Sequence, residues 1–265
     1  MLVLLHGLAS NLTRWAEFVR TTSLRASWDL LRLDLRGYGR SSPRGRIGHD
    51  VWCADLAAVL DAEGYARAVV AGHCLGANLA VEFARRHPDR VAALVLIEPM
   101  PAEALRGGLR AAAALRPLIG PLAGLFRALN ALGLRRRALL PLDLEALDRE
   151  TRAALAAPGA AGVALRRHAS LWADLRSTSV ATYLQSLLAV SQGLPDLSTM
   201  SAPVLTLLST GGALADPAIT ARCLAALPAA RIVWLDAQHW IPTERPDEMR
   251  RAIEEWCAAL DARGP

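Results

Sequence analysis

The chain has 265 residues, 53% of them apolar and 21% charged, which excludes a disordered polymer and allows one large core, alone or with an insertion. Its net charge of +5 comes entirely from arginine, scattered mostly as singles and pairs. No aromatic-interleaved basic stripe accompanies the longest run, Arg135-Arg136-Arg137, so no nucleic-acid partner is expected.

In chain order, "LVLLHG" (2–7), "DLLRLDLRG" (29–37), "RAVVAGHC" (67–74), "VAALVLIEP" (91–99), "APVLTLLS" (202–209) and "ARIVWLD" (230–236) are short runs rich in Val, Leu and Ile. Each reads as a buried strand. Between several of them lie helical patterns, such as 49–64, where Asp50 is the expected cap and Gly64 the expected stop. This alternation predicts an α/β fold with a mostly parallel sheet covered by helices on both faces. Ligands bind such sheets at the carboxyl edge, so the polar residues just after each run are the ones to watch.

The alternation breaks between Met100 and Met200, a stretch rich in Ala, Leu and Arg and broken by Pro117, Pro121, Gly133, Pro141, Pro158 and Pro195. Several short helices are expected there. The reading is a core of residues 1–100 and 201–265 with a helical cap inserted at 101–200. Its apolar side chains serve helix packing first and an apolar pocket second. "MLVLLHG" is too short for a signal peptide, and the apolar stretch from Gly108 to Leu134 carries arginines and prolines. A cytoplasmic protein without a membrane segment is expected.

The chemistry centres on "VVAGHCLGA", where a strand runs through Gly72 into Cys74, then Gly76 and a helical pattern. A sharp strand-to-helix turn strains its central residue and needs small neighbours two positions to either side. It should push the Cys74 side chain out over the sheet edge. It also aims the Leu75 N–H, at a helix start, toward the same spot, and that helix end favours a thiolate. After the first strand, His6-Gly7 lets a loop turn the Leu8 N–H to the site, so Leu8 and Leu75 are the expected oxyanion donors. His239, after the last strand, is the expected base, and Asp216, in "ADPAIT", the expected residue that orients it. Glu98, just after an earlier strand, is the alternative acid, and Asp236 a weaker one.

The remaining candidates read as structural. Cys53, Cys223 and Cys257 suit buried small hydrophobes. With the cysteines far apart and no histidine cluster, neither metal, cofactor nor disulfide framework is expected. His6 and His73 read as neighbours of the site, and His49, His87 and His168 as helix-end or exposed residues. Asp34, Arg36 and Arg40 should fix the turn after the second strand.

The order nucleophile, acid, histidine, with "LLHGLAS", "DLRGYGRS", "GHCLGA", "ADPAIT" and "HWIPTERPDEM", resembles the α/β-hydrolase superfamily over nearly the whole chain. The resemblance implies a Cys74–Asp216–His239 triad, Leu8 and Leu75 as oxyanion donors, and a cap over the site. The nucleophile is Cys, as in dienelactone hydrolases and some thioesterases. Relatives usually carry a hairpin ahead of the first strand; this sequence starts in that strand. The acid loop "STGGALADP" is longer than usual. A thiol nucleophile favours thioester, lactone or acyl-transfer chemistry over amide cleavage. The expected activity is hydrolysis of a small acyl ester or thioester, free or carrier-bound, through an acyl-Cys74 intermediate. The alternatives are an acyltransferase or cyclase using the same intermediate, and a catalytically silent binding protein.

Overall fold

The structure, a computed structural model, describes all residues except 42–44, 137, 157–164, 166, 199, 226, 228–229 and 263–265. Arg137 and Pro158, named above, lie outside the described residues. Six strands form one all-parallel sheet: β1 (Leu2–Leu5), β2 (Leu30–Arg32), β3 (Ala68–His73), β4 (Val91–Ile97), β5 (Val204–Ser209) and β6 (Ala230–Leu235), in the order β2-β1-β3-β4-β5-β6. The α/β fold class expected from the alternating runs is the one observed.

Successive side chains of a strand point to opposite faces, and the core divides accordingly. Leu2, Leu4, Val69, Ala71, Val95 and Ile97 pack beneath α1 (Ala16–Thr21) and the carboxyl-terminal helix Pro246–Asp261. Val3, Leu5, Val70, Leu94 and Leu96 pack beneath α2 (His49–Ala62) and α3 (Leu75–Arg86). Because both faces are covered, the strands read as continuous apolar runs and not as alternating ones.

Two local expectations change. The second strand is shorter than expected, since β1 offers pairing partners only for Leu30, Leu31 and Arg32. Beyond it, the Asp34 carboxylate accepts the backbone N–H groups of Leu12 and Arg40, each at 2.8 Å, and folds the chain back. Arg36 instead reaches Asp55 on α2. The cap of α2 is Gly48, with no side-chain bond, while Asp50 sits inside the first turn and pairs with Arg46. A carboxylate there still complements the helix dipole. Gly64 ends the helix at φ 77°, with the Tyr65 N–H donating to the Leu60 carbonyl.

Between β4 and β5 the chain forms α4 (Gly107–Ala114), α5 (Arg116–Ala131), α6 (Leu144–Leu155), α7 (Leu171–Ser177) and α8 (Val180–Val190). α5, with 16 residues and Pro121 inside it, is longer than the short helices expected and packs along α8. Its Leu118, Leu122 and Leu125 are exposed, so packing does not account for all the apolar content of this stretch. Two helices complete the chain's second half, α9 (Pro217–Leu224) and α10 (Ile241–Glu244), followed by the terminal helix as α11. Among the described residues no single helix is long and apolar enough to cross a membrane; α4 and α5 together have the length and composition but meet at 84°.

Candidate active site

Strand order reverses between β1 and β3, and the loops leaving those two strands part at the carboxyl edge of the sheet. Cys74 stands there as the residue between β3 and α3, with φ 54° and ψ −115°. The bend holds because two glycines leave room. A Cβ on Gly72 would lie 2.1 Å from the Gly76 carbonyl oxygen, and one on Gly76 would lie 2.5 Å from that of Leu5. The Cys74 carbonyl starts the helix by accepting from Ala77 and Asn78. The N–H groups of Leu8 and Leu75 donate to no protein group among the described residues, and both leave strand ends beside Cys74.

Ala9, Cys74 and Glu98 have φ of 50°, 54° and 52° and are the non-glycine residues with positive φ among those described. They follow β1, β3 and β4, three neighbouring strands. Such strain persists only where surrounding structure enforces it, and it gathers at functional sites.

The expected contact between Asp216 and His239 is replaced by another. His239 Nδ1 lies 3.0 Å from Glu98 Oε2, and both side chains are buried. The second oxygen of Glu98 accepts the Ser209 N–H. Asp216 instead caps α9, accepting the N–H groups of Ala218 and Ile219, and pairs with Arg106. Its backbone N–H donates to Ala104, which ties the acid loop to the start of the inserted helices. Helix capping and the arginine therefore hold it away from the imidazole. Asp236 is exposed and pairs with Arg245.

Burial opposes a charge on His239, yet the Cys74 and Glu98 side chains flank the ring and push its pKa up to about 10. The protonated form of the ring is therefore favoured. His73 Nε2 lies 3.2 Å from the His239 carbonyl and tethers that loop. Burial, first, and then the nearby His239 hold His73 well below the usual histidine range, so it is neutral and donates there. The sequence reading missed Glu244. Its carboxylate gathers the N–H groups of Gln238, His239 and Trp240 at 3.0–3.2 Å and fixes the histidine loop. The only sequence signal was an acid five residues beyond the histidine, at the end of a short helix.

His6 accepts the Leu35 N–H at Nε2 and donates from Nδ1 to the Gly7 carbonyl, which braces the loop carrying Leu8. His168 differs from expectation. It is half-buried, bonds Thr151 and packs on Trp240 in the wall of the site. His49 begins α2 and His87 ends α3. Cys53 and Cys257 are buried, and burial pushes both thiols up to about 12. Cys223 is half-buried.

A cavity of about 560 Å³ opens over Cys74 and His239. The inserted helices contribute Leu109, Leu144, Leu147, Leu171, Leu187 and Val190 to its wall. They cover Cys74, which is only 7% exposed, so the side chain meets this cavity and not bulk solvent as the bend alone suggested. Arg14 reaches the same wall already neutralised by Asp148 of α6, at 2.6 Å, with Thr243 beside both. Among the described residues no group of His, Cys, Asp and Glu could hold a metal ion.

The model of the alpha/beta hydrolase fold family matches residues 1–246. A 2-hydroxy-6-oxononadienedioate/2-hydroxy-6-oxononatrienedioate hydrolase of Burkholderia vietnamiensis is 35% identical over 119 residues, 40% of this chain and 41% of the relative. The chain thus spans less than half the length of the curated relatives it matches. Among solved structures, the enol-lactonase from Burkholderia xenovorans superposes with a TM-score of 0.68 at 23% identity, covering 97% of this chain and 90% of that one. A thermophilic esterase from Thermogutta terrifontis gives 0.67 at 22%, covering 98% and 89%. These two likenesses concern the fold alone.

Proposed function

The chain belongs to the alpha/beta hydrolase fold family, and from that premise we propose that it is an acyl hydrolase cleaving ester or thioester bonds through an acyl-Cys74 intermediate. One observation carries the reading: His239 bonds Glu98 at Nδ1 and lines the same cavity as Cys74.

In the first half-reaction the Cys74 thiolate attacks the substrate carbonyl carbon. The carbonyl oxygen takes the negative charge and faces the N–H groups of Leu8 and Leu75, whose preorganised dipoles stabilise it. Collapse breaks the bond to the leaving group, and the His239 imidazolium gives that group its proton. A thioester on Cys74 remains. In the second half, neutral His239 takes a proton from water, the hydroxide attacks the acyl carbon, and the C–S bond breaks to return thiolate, imidazolium and a carboxylic acid. Glu98 keeps the ring in one tautomer and stabilises its charged form.

The apolar wall suits a hydrocarbon acyl group. The test is intact-mass analysis during turnover of p-nitrophenyl hexanoate. An adduct of one acyl group on Cys74 is expected, absent in Cys74→Ala, with turnover in His239→Ala down by about a thousandfold or more. Turnover retained by Cys74→Ala would sink the reading.

A further inference from the structure

We propose that a second cavity beside the first binds a phosphate-bearing leaving group, so that the substrate is an acyl thioester of a phosphorylated thiol carrier such as coenzyme A. The thioester part rests on the acyl-Cys74 reading above. This cavity also measures about 560 Å³, and Ser10, Leu142 and Ser177 line both, so the two adjoin.

Their walls are chemically different. Leucines dominate the first, whereas the second gathers Arg40, Arg127, Arg135 and Arg136. The side chains of Arg40, Arg127 and Arg135 form no ion pair among the described residues, and Arg136 donates to the Leu175 carbonyl. The one carboxylate among the described residues of the second wall, Asp34, is already committed to the backbone of Leu12 and Arg40. Four guanidiniums against one occupied carboxylate make a site for polyanions, and the planar donor fork of arginine suits phosphate best.

The shared wall supplies an independent sign of a ligand. Ser10 is 7% exposed, and its hydroxyl has no partner among the described residues. A buried hydroxyl left unbonded is costly unless something polar completes it. An amide-bearing arm passing from the arginines to Cys74 would do so. The acyl chain then occupies the apolar cavity, the thioester sits at Cys74, and the phosphates rest on the arginines.

The test compares kcat/KM for hexanoyl-coenzyme A with that for hexanoyl-N-acetylcysteamine, the same thioester without phosphate. At low salt the first is expected to be preferred by about tenfold or more, with the preference shrinking as salt rises. Arg127→Glu and Arg135→Glu should each reduce that ratio by about tenfold, and because it is a ratio within one preparation, partial misfolding does not mimic the effect. Equal values for the two thioesters, or a ratio unmoved by both substitutions, overturns the site. Acylation of Cys74 by p-nitrophenyl hexanoate is followed in the same samples. An adduct with an unselective ratio defeats only the phosphate site, whereas no adduct from any donor defeats the acyl-Cys74 reading. In that second case calorimetric titration of coenzyme A into the unmodified protein decides: salt-sensitive binding lost in Arg127→Glu supports the site, and no binding overturns it.

Discussion

Glu98 Oε2 lies 3.0 Å from Nδ1 of His239, a residue 141 positions away in the chain. Glu98 follows the central strand β4 with a positive φ, and its side chain meets the loop after β6 at His239.

That geometry gives opposite expectations for two acids. Glu98→Gln should lower kcat by about a hundredfold or more, since the amide can neither fix the tautomer nor stabilise the imidazolium. Asp216→Asn should keep most of its activity and lose only a little thermal stability through a weaker cap and the broken Arg106 pair. Steady-state kinetics on both variants check this, and the reverse ranking would return the acid to Asp216.

Gly76→Ala tests the bend itself. The new Cβ would meet the carbonyl oxygens of Leu5 and His6 at 2.5 and 2.7 Å, and neither belongs to a movable side chain. A loss of about 3 kcal/mol is expected in urea unfolding, together with lost acylation of Cys74. A variant as stable as the parent would mean the close approach of β1 and α3 is not obligatory.

The Arg14–Asp148 pair joins the loop after β1 to the inserted helices, with side chains 5% and 4% exposed. Asp148→Ala strands a buried guanidinium and should cost about 3–5 kcal/mol. Arg14→Met combined with Asp148→Leu should recover much of that, because the interior then holds no lone charge. Chemical denaturation of both variants measures the difference.

Acid should weaken the fold through neutral histidines that are buried or half-buried. Burial holds His6, His49 and His168 down near 4, against an ordinary 6.5. As pH falls below about 6.5 the unfolded chain takes protons that the folded one refuses, so stability drops between pH 6.5 and 4. His239 has the opposite sign: raised to about 10, it contributes stability below 6.5 that disappears as pH rises through 10. Urea midpoints from pH 7.5 to 4.5 should decline, and less steeply in His6→Gln; an unchanged slope would assign the acid lability to other groups.

Much of this was written in short stretches of sequence. Strands and helices follow from patterns a dozen residues long, and the spacing of Gly72, Cys74 and Gly76 marks a bend whose demands are purely local. The chain also fixes the order in which loops reach the carboxyl edge, which is why residues 6–8, 74 and 239 could be nominated together. The partner of His239 was beyond that kind of reading. Glu98 and Asp216 each follow a strand at the same edge, and only packing shows that one turns inward while a helix start and Arg106 hold the other aside. The covered thiol, the grip of Glu244 and the two adjoining cavities likewise depend on how the inserted helices fold back over the sheet. Contacts across more than a hundred residues are decided by the shape of the whole core, and no local pattern encodes them.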